Sequence, residues 1–345
     1  MAPAYERARG VIRAFRRPAF YEIATRCNLL CEGCYYFEGG QTGADETGDV
    51  EAWRSFFETE AARGVSMAYF IGAEPAMEPA RLHAANGLFP YANVGTNGTI
   101  RIDPEIDMRI SISVWSGDAD EDARLRGAGV FGKALKNYAG DPRALVVYTL
   151  SRWNLAGARR AAELCREHGL PMTFNMYSPT SGYLSKLAAR EANDRRYFRI
   201  SSAEDNACFD DDALDEARRV VDTLMTDFPE TMVYSRAYND WATETGPRYA
   251  LDENGVATDC HSRIREPLRY HTADLRAIEV KCCTFDIDCS QCRIYSGGWS
   301  SKFEPRPEDL ADITAFERWL DMVDTAGRIF VLEPRERADM PVAAE

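Results

Sequence analysis

Eight of the ten cysteines in this 345-residue chain fall into two groups. Cys27, Cys31 and Cys34 form a CxxxCxxC run, while Cys260, Cys282, Cys283, Cys289 and Cys292 crowd the stretch from 260 to 292. Cys165 and Cys208 stand apart and read as structural thiols. The basic start, MAPAYERARGVIRAFRRPAF, has no apolar core and no small-residue cleavage site. The expected compartment is therefore the cytoplasm, where thiols stay reduced and clustered cysteines bind metal rather than each other. Three thiolates spaced as in the first group can wrap one face of a cubane cluster, ligating three irons and leaving the fourth without a protein ligand. A structural zinc site needs four ligands, and the four histidines (83, 168, 261, 271) lie far off in sequence. The alternatives are core thiols, or a zinc site shared with Cys289-x-x-Cys292. Acids outnumber bases 55 to 41, for a net charge of −14. That balance argues against nucleic acid or an anionic membrane as a partner. No run of eighteen apolar residues exists to span a bilayer.

Such ligands need a scaffold, and the pattern from residue 20 to about 178 supplies one. Strands are expected at Phe20–Ala24, Ser66–Ile71, Ala92–Thr96, Met108–Trp115, Ala144–Leu150 and Met172–Tyr177. Between them helical periodicity marks Val50–Arg63, Pro79–Asn86, Phe131–Tyr138 and Leu155–His168. Strands alternating with helices imply a parallel sheet with right-handed crossovers. Eight such units typically need about 250 residues, so the expected class is α/β, a partial (β/α)6 TIM-type barrel. Active residues should sit in the loops at the C-terminal strand ends. After Pro179 the alternation fades. Residues 231–303 are loop-rich and carry the second cysteine group, as a metal-stapled module would. The expected division is 1–18 as an extension, 19–230 as barrel, 231–303 as the module and 304–345 as a tail. The tail should hold a helix over Ile313–Val323 and a strand over Ile329–Leu332.

The stretch EIATRCNLLCEGC resembles the signature of the radical S-adenosylmethionine (SAM) superfamily, Cys-x3-Cys-x2-Cys after the first barrel strand. The resemblance implies a [4Fe–4S] cluster on Cys27, Cys31 and Cys34 whose open iron binds SAM. Reductive cleavage of SAM then gives a 5′-deoxyadenosyl radical that takes a substrate hydrogen, while the protein orients the substrate and excludes solvent. Gly72-Ala73-Glu74-Pro75 is similar to the superfamily's GGEP motif, which makes Glu74 the acceptor for the SAM amino group. Thr96-Asn97-Gly98-Thr99 resembles its TNG turn. By the same resemblance Ser113, Arg126 and Asn154 contact the ribose or carboxylate of SAM. Gly33 departs from the aromatic residue often found before the third cysteine. Ser113-Val114-Trp115-Ser116-Gly117 departs from the usual Ser-x-Asp-Gly, and Trp115 is expected to shape the substrate cavity instead.

Cys283-x5-Cys289-x2-Cys292, with Cys260, resembles the SPASM or twitch modules that hold an auxiliary [4Fe–4S] cluster. A zinc knuckle on the same ligands is the alternative, and the spacing does not decide between Cys282 and Cys283. The spare thiol, taken as Cys282, is either filler or a hydrogen donor to a substrate radical. Asn175, Tyr177, Ser178 and Tyr295 are expected to face the substrate, with Asp286 and Asp288 near the second group. Cys27 comes early for an upstream peptide-recognition domain, so a small polar substrate of sugar, nucleoside or aminoglycoside type is expected. The expected reaction is dehydrogenation with the auxiliary cluster as electron acceptor. Epimerisation, bond formation and a zinc-stapled binding protein are the rivals. The implied partner is an electron donor such as flavodoxin or ferredoxin.

Overall fold

The computed structural model describes residues 2–38, 46–262, 269–280, 282–284 and 286–332. Six parallel strands carry the alternation: β1 (Pro18–Ala24), β2 (Met67–Gly72), β3 (Tyr91–Thr96), β4 (Arg109–Val114), β5 (Ala144–Leu150) and β6 (Met172–Met176). Helices cover the outer face. Val50–Ala62 starts on Asp49, whose carboxylate accepts the Glu51 and Ala52 N–H groups and so satisfies donors the helix cannot. Its Phe57 packs on Tyr21 and Phe70, which alternate outward along β1 and β2, and Trp53 packs against Phe57. The residues between them, Phe20 and Tyr69, face the other way, stacked with ring centroids 4.6 Å apart.

Among the described residues the sheet has eight strands, in the order β6-β5-β4-β3-β2-β1-β7-β8. β7 (Arg269–His271) and β8 (Ala277–Ile278) were not expected, being too short to show periodicity. β7 pairs in parallel with β1, so the stretch carrying the second cysteine group shares the barrel's own sheet. Helices Ala2–Ala14, Ser181–Ala189 and Arg236–Thr243 are likewise additions to the expected set.

The expected strand at Ile329–Leu332 is corrected: Ile329 and Phe330 end a helix, Ile313–Phe330. Trp319, Val323, Ala326 and Phe330 are spaced at three or four residues and buried, so one apolar helical face runs on through the run. This helix packs on Ala2–Ala14 and plugs the N-terminal mouth of the sheet. Arg109, the first residue of β4, donates to its terminal carbonyls, Nε to Ile329 O at 3.0 Å and Nη2 to Arg328 O at 2.6 Å. A cation there complements the negative end of the helix dipole. No described helix is long and apolar enough to cross a membrane.

Candidate active site

The cysteine loop leaves β1 and is tied down on three sides. Leu30 and Glu32 donate their N–H groups to the carbonyls of Arg126 and Leu125, at 3.0 and 2.8 Å. Asn97, in the loop after β3, donates from Nδ2 to Asn28 Oδ1 at 2.8 Å and lies 3.9 Å from Cys27 Sγ. Glu32, fully buried, accepts from the N–H groups of Arg199, Ile200 and Ser201 and from the Ser201 hydroxyl. This clamp fastens the loop to a segment far along the chain.

Gly72 and Gly33 are among the glycines required by space. Gly72 has φ +122°, and a Cβ on it would stand 2.4 Å from Ala24 O. Its absence lets the Ala73 and Glu74 N–H groups bond the Ala24 and Arg26 carbonyls, joining the GAEP segment to the cysteine loop. Gly33 has φ +58°, and a Cβ there would meet Tyr177 Oη at 2.0 Å. The Tyr177 ring fills the space that an aromatic residue beside the third cysteine would need, and its hydroxyl donates to Gly33 O at 3.3 Å.

A cavity of about 270 Å³ gathers the expected groups. Cys27, Cys31 and Cys34 line it together with Gly72, Ala73, Glu74, Asn97, Ser113, Arg126, Trp115, Asn175, Tyr177, Ser178, Tyr295 and Cys283. Burial pushes the thiols up, Cys27 to about 11 and Cys34 to about 12. Such thiols give up their protons at neutral pH only to a metal or another strong partner. Arg126 faces Cys31, donates from Nη1 to Ser113 O at 2.7 Å, and keeps a buried Nε without a partner. Glu74 accepts from Thr96 Oγ1 at 2.6 Å, Asn97 N at 2.7 Å and Ala76 N at 3.0 Å. Burial raises its pKa against those bonds. Trp115 meets the Tyr177 ring edge-on, and Asn175 Oδ1 accepts the Tyr295 N–H at 3.0 Å.

Asn154 does not line this cavity. Its amide donates to Trp115 O and Thr149 O, and its Oδ1 accepts from Ser151 N, so it shapes the loop after β5. Cys282 is also turned away, its thiol lying 2.7 Å from Thr284 O. Cys283 instead faces the cavity. Asp288 accepts from Ser290 and Gln291 as an ordinary turn cap, and the Asp286 carbonyl accepts from Ser181 N.

The second group forms a neighbourhood of its own. Cys292 feels the charges of Cys283, Cys260 and Cys289, and a Cβ on Gly297 would stand 3.7 Å from Cys260 Sγ and 3.8 Å from Cys283 Sγ. A hydrogen bond from Cys282 lowers the pKa of Cys283, with Ser296, Ser262 and Thr284 adding theirs. Donors converging on a sulfur suit a thiolate. Among the described residues no three His, Cys, Asp or Glu side chains close to the spacing of a single metal ion. Sequence reasoning missed Glu32, whose partners lie 167 to 169 residues away.

No family model matches the chain. It is 29% identical over 157 residues to the PqqA peptide cyclase of Xanthomonas campestris pv. campestris, covering 45% of this chain and 37% of that one. The PqqA peptide cyclase of Xanthomonas oryzae pv. oryzae is 24% identical over 282 residues, 74% of this chain and 71% of the relative. The chain thus spans little more than a third of the first relative's length. Streptococcus suis SuiB bound to S-adenosylmethionine shares the fold, with TM-score 0.53, 13% identity, and coverage of 78% of this chain and 61% of SuiB. SuiB bound to its precursor peptide SuiA aligns equally well, at TM-score 0.53 over 80% of this chain and 62% of SuiB. The cysteine signature at the end of β1, the fold it shares with SuiB and the sequence likeness to the peptide cyclases support the radical SAM resemblance read from the sequence.

Proposed function

We propose that the chain is a radical SAM enzyme performing a net two-electron oxidation of its substrate, with an auxiliary cluster as electron acceptor. The observation that carries this reading is the meeting, in one cavity, of the three triad thiols, Arg126 and Cys283. Cys27, Cys31 and Cys34 would hold the first cluster, and Cys260, Cys283, Cys289 and Cys292 the second. When bound, the first cluster together with SAM would supply a carbon-centred radical that takes hydrogen, and the second cluster an acceptor for one further electron. The unpartnered Nε of Arg126 suits a carboxylate. Glu74 keeps lone-pair capacity on Oε2 for an ammonium. Trp115, Tyr177 and Tyr295 wall the cavity with rings that exclude water.

The relatives named as peptide cyclases support a peptide as substrate, one side chain entering the cavity. A small polar biosynthetic molecule is the second reading, favoured by the cavity's modest volume. Epimerisation with Cys282 as hydrogen donor has less support, since that thiol points away from the cavity.

Anaerobic reconstitution should give a brown protein with about eight irons per chain, and a Cys27→Ala, Cys31→Ala, Cys34→Ala triple variant should retain about four. Reduction of the wild type in the presence of SAM should yield 5′-deoxyadenosine, and the triple variant should yield none. A colourless, zinc-containing protein would sink the reading. Turnover in D2O that places deuterium on a product carbon would overturn oxidation in favour of epimerisation.

A further inference from the structure

A second hollow, of about 560 Å³, opens at the N-terminal strand ends, the mouth opposite the cysteine loop. Arg13 from the last turn of helix Ala2–Ala14, Arg16 and Arg17 from the turn that follows, and Arg269 at the start of β7 line it. In a chain of net charge −14, arginines find acids easily. On the same helix Arg7 pairs with Asp324, and Arg9 with Glu6. Arg13, Arg16 and Arg17 are exposed and have no carboxylate partner among the described residues. Deeper in, Arg269 Nη1 is buried without a hydrogen-bond partner. A buried guanidinium N–H left unpaired is costly and marks a place for an acceptor. Glu304 is a carboxylate of the wall, and it faces His261 at 3.6 Å.

Behind the inner wall of this hollow lies the second thiol group. Ser262 and Ser296 both line the hollow and both hydrogen-bond Cys283. His261, also in the wall, follows Cys260. A partner seated on the arginines would therefore be separated from those sulfurs by one layer of residues. An exposed cationic rim steers and orients an anionic protein surface.

We propose that this arginine-rimmed hollow docks an acidic one-electron carrier protein, and that the second thiol group is the port through which its electron crosses. This rests on reading that group as an iron–sulfur site. In each passage the carrier is oxidised by one electron and the cluster is reduced by one, with no atom or proton exchanged. The reverse passage removes the electron left by substrate oxidation.

The test uses the reconstituted full chain and a purified acidic [2Fe–2S] ferredoxin. Oxidised ferredoxin, titrated at low salt, should bind with an affinity that falls steeply as salt rises. The Arg13→Glu, Arg16→Glu, Arg17→Glu variant should weaken it about tenfold or more. Hydrogen exchange should show protection over residues 10–18 and 296–304 in the complex. Reduced ferredoxin should reduce the variant's clusters correspondingly more slowly, while dithionite reduces both proteins alike. Unchanged affinity in the variant, or protection confined to another face, would overturn the proposal. So would pyrophosphate binding at these arginines by a chain that has no affinity for ferredoxin. An iron content of about four rather than eight would instead sink the second-cluster reading, whatever the binding result.

Discussion

At Gly33 the backbone is left-handed and the nearest neighbour of an added Cβ is a phenolic oxygen. Gly33→Ala should therefore destabilise the protein by about 1–3 kcal/mol and lower iron retention by the triad. Tyr177→Phe in the same chain should return part of that loss, by removing the oxygen but not the strain. Thermal unfolding and iron content of the three proteins check this. Glu22 offers a pH test. It is buried in β1, accepts from Tyr270 Oη at 2.6 Å, and burial raises its pKa from 4.5 to about 7. A raised carboxyl pKa favours the neutral form in the fold. Its contribution is fully present below about pH 4.5 and is lost as pH rises through about 7. Glu22→Gln, always neutral, should gain on the wild type between pH 5 and pH 8, by up to about 3 kcal/mol. Equal gaps at the two pH values in denaturant unfolding would refute it. The cysteine spacing, GAEP and TNG were legible because each acts through a few adjacent residues. The bonds that Asn154 makes to Ser151, Thr149 and Trp115 were not legible, because no spacing reveals which carbonyls an amide will meet.

The six strands and four of the helices from 20 to 178 were legible to within a few residues, because each is long enough to show its period, but the helix Ala119–Arg126 was missed: it is short and largely charged. Short elements were not. β7 has three residues, and only its pairing with β1 and β8 makes it a strand. The run Ile329–Leu332 misled for the opposite reason. Four apolar residues fit a strand or a helix end equally well, and the plug at the barrel mouth decides between them. That plug hangs on Arg109. Arg109→Ala removes the donors to Arg328 O and Ile329 O and leaves those carbonyls unpaired. A loss of about 2–4 kcal/mol is expected in denaturant unfolding, with helix Ile313–Phe330 the first element to exchange its amide hydrogens. If exchange at that helix is unchanged, Arg109 is not what seats it.

Across the whole molecule the two mouths of the sheet divide the work. The cysteine loop and its cavity occupy the C-terminal strand ends, and the plug helix and the arginine hollow occupy the other. The placement of β7 also bears on biosynthesis. The edge of β1 closes only when residues 269–271 arrive, some 250 positions after β1 has been made. A ribosome-bound chain thus carries its first three thiols on a strand with one open edge, exposed to intruding strands. Iron delivered in that interval would reach the triad before the sheet is sealed. Chains ending before residue 269 should aggregate through that edge, and a β-breaking proline at Phe20 in such truncated chains should suppress the aggregation. Light scattering of the two truncated proteins, made side by side, would show whether a strand translated so late is the one that protects the first.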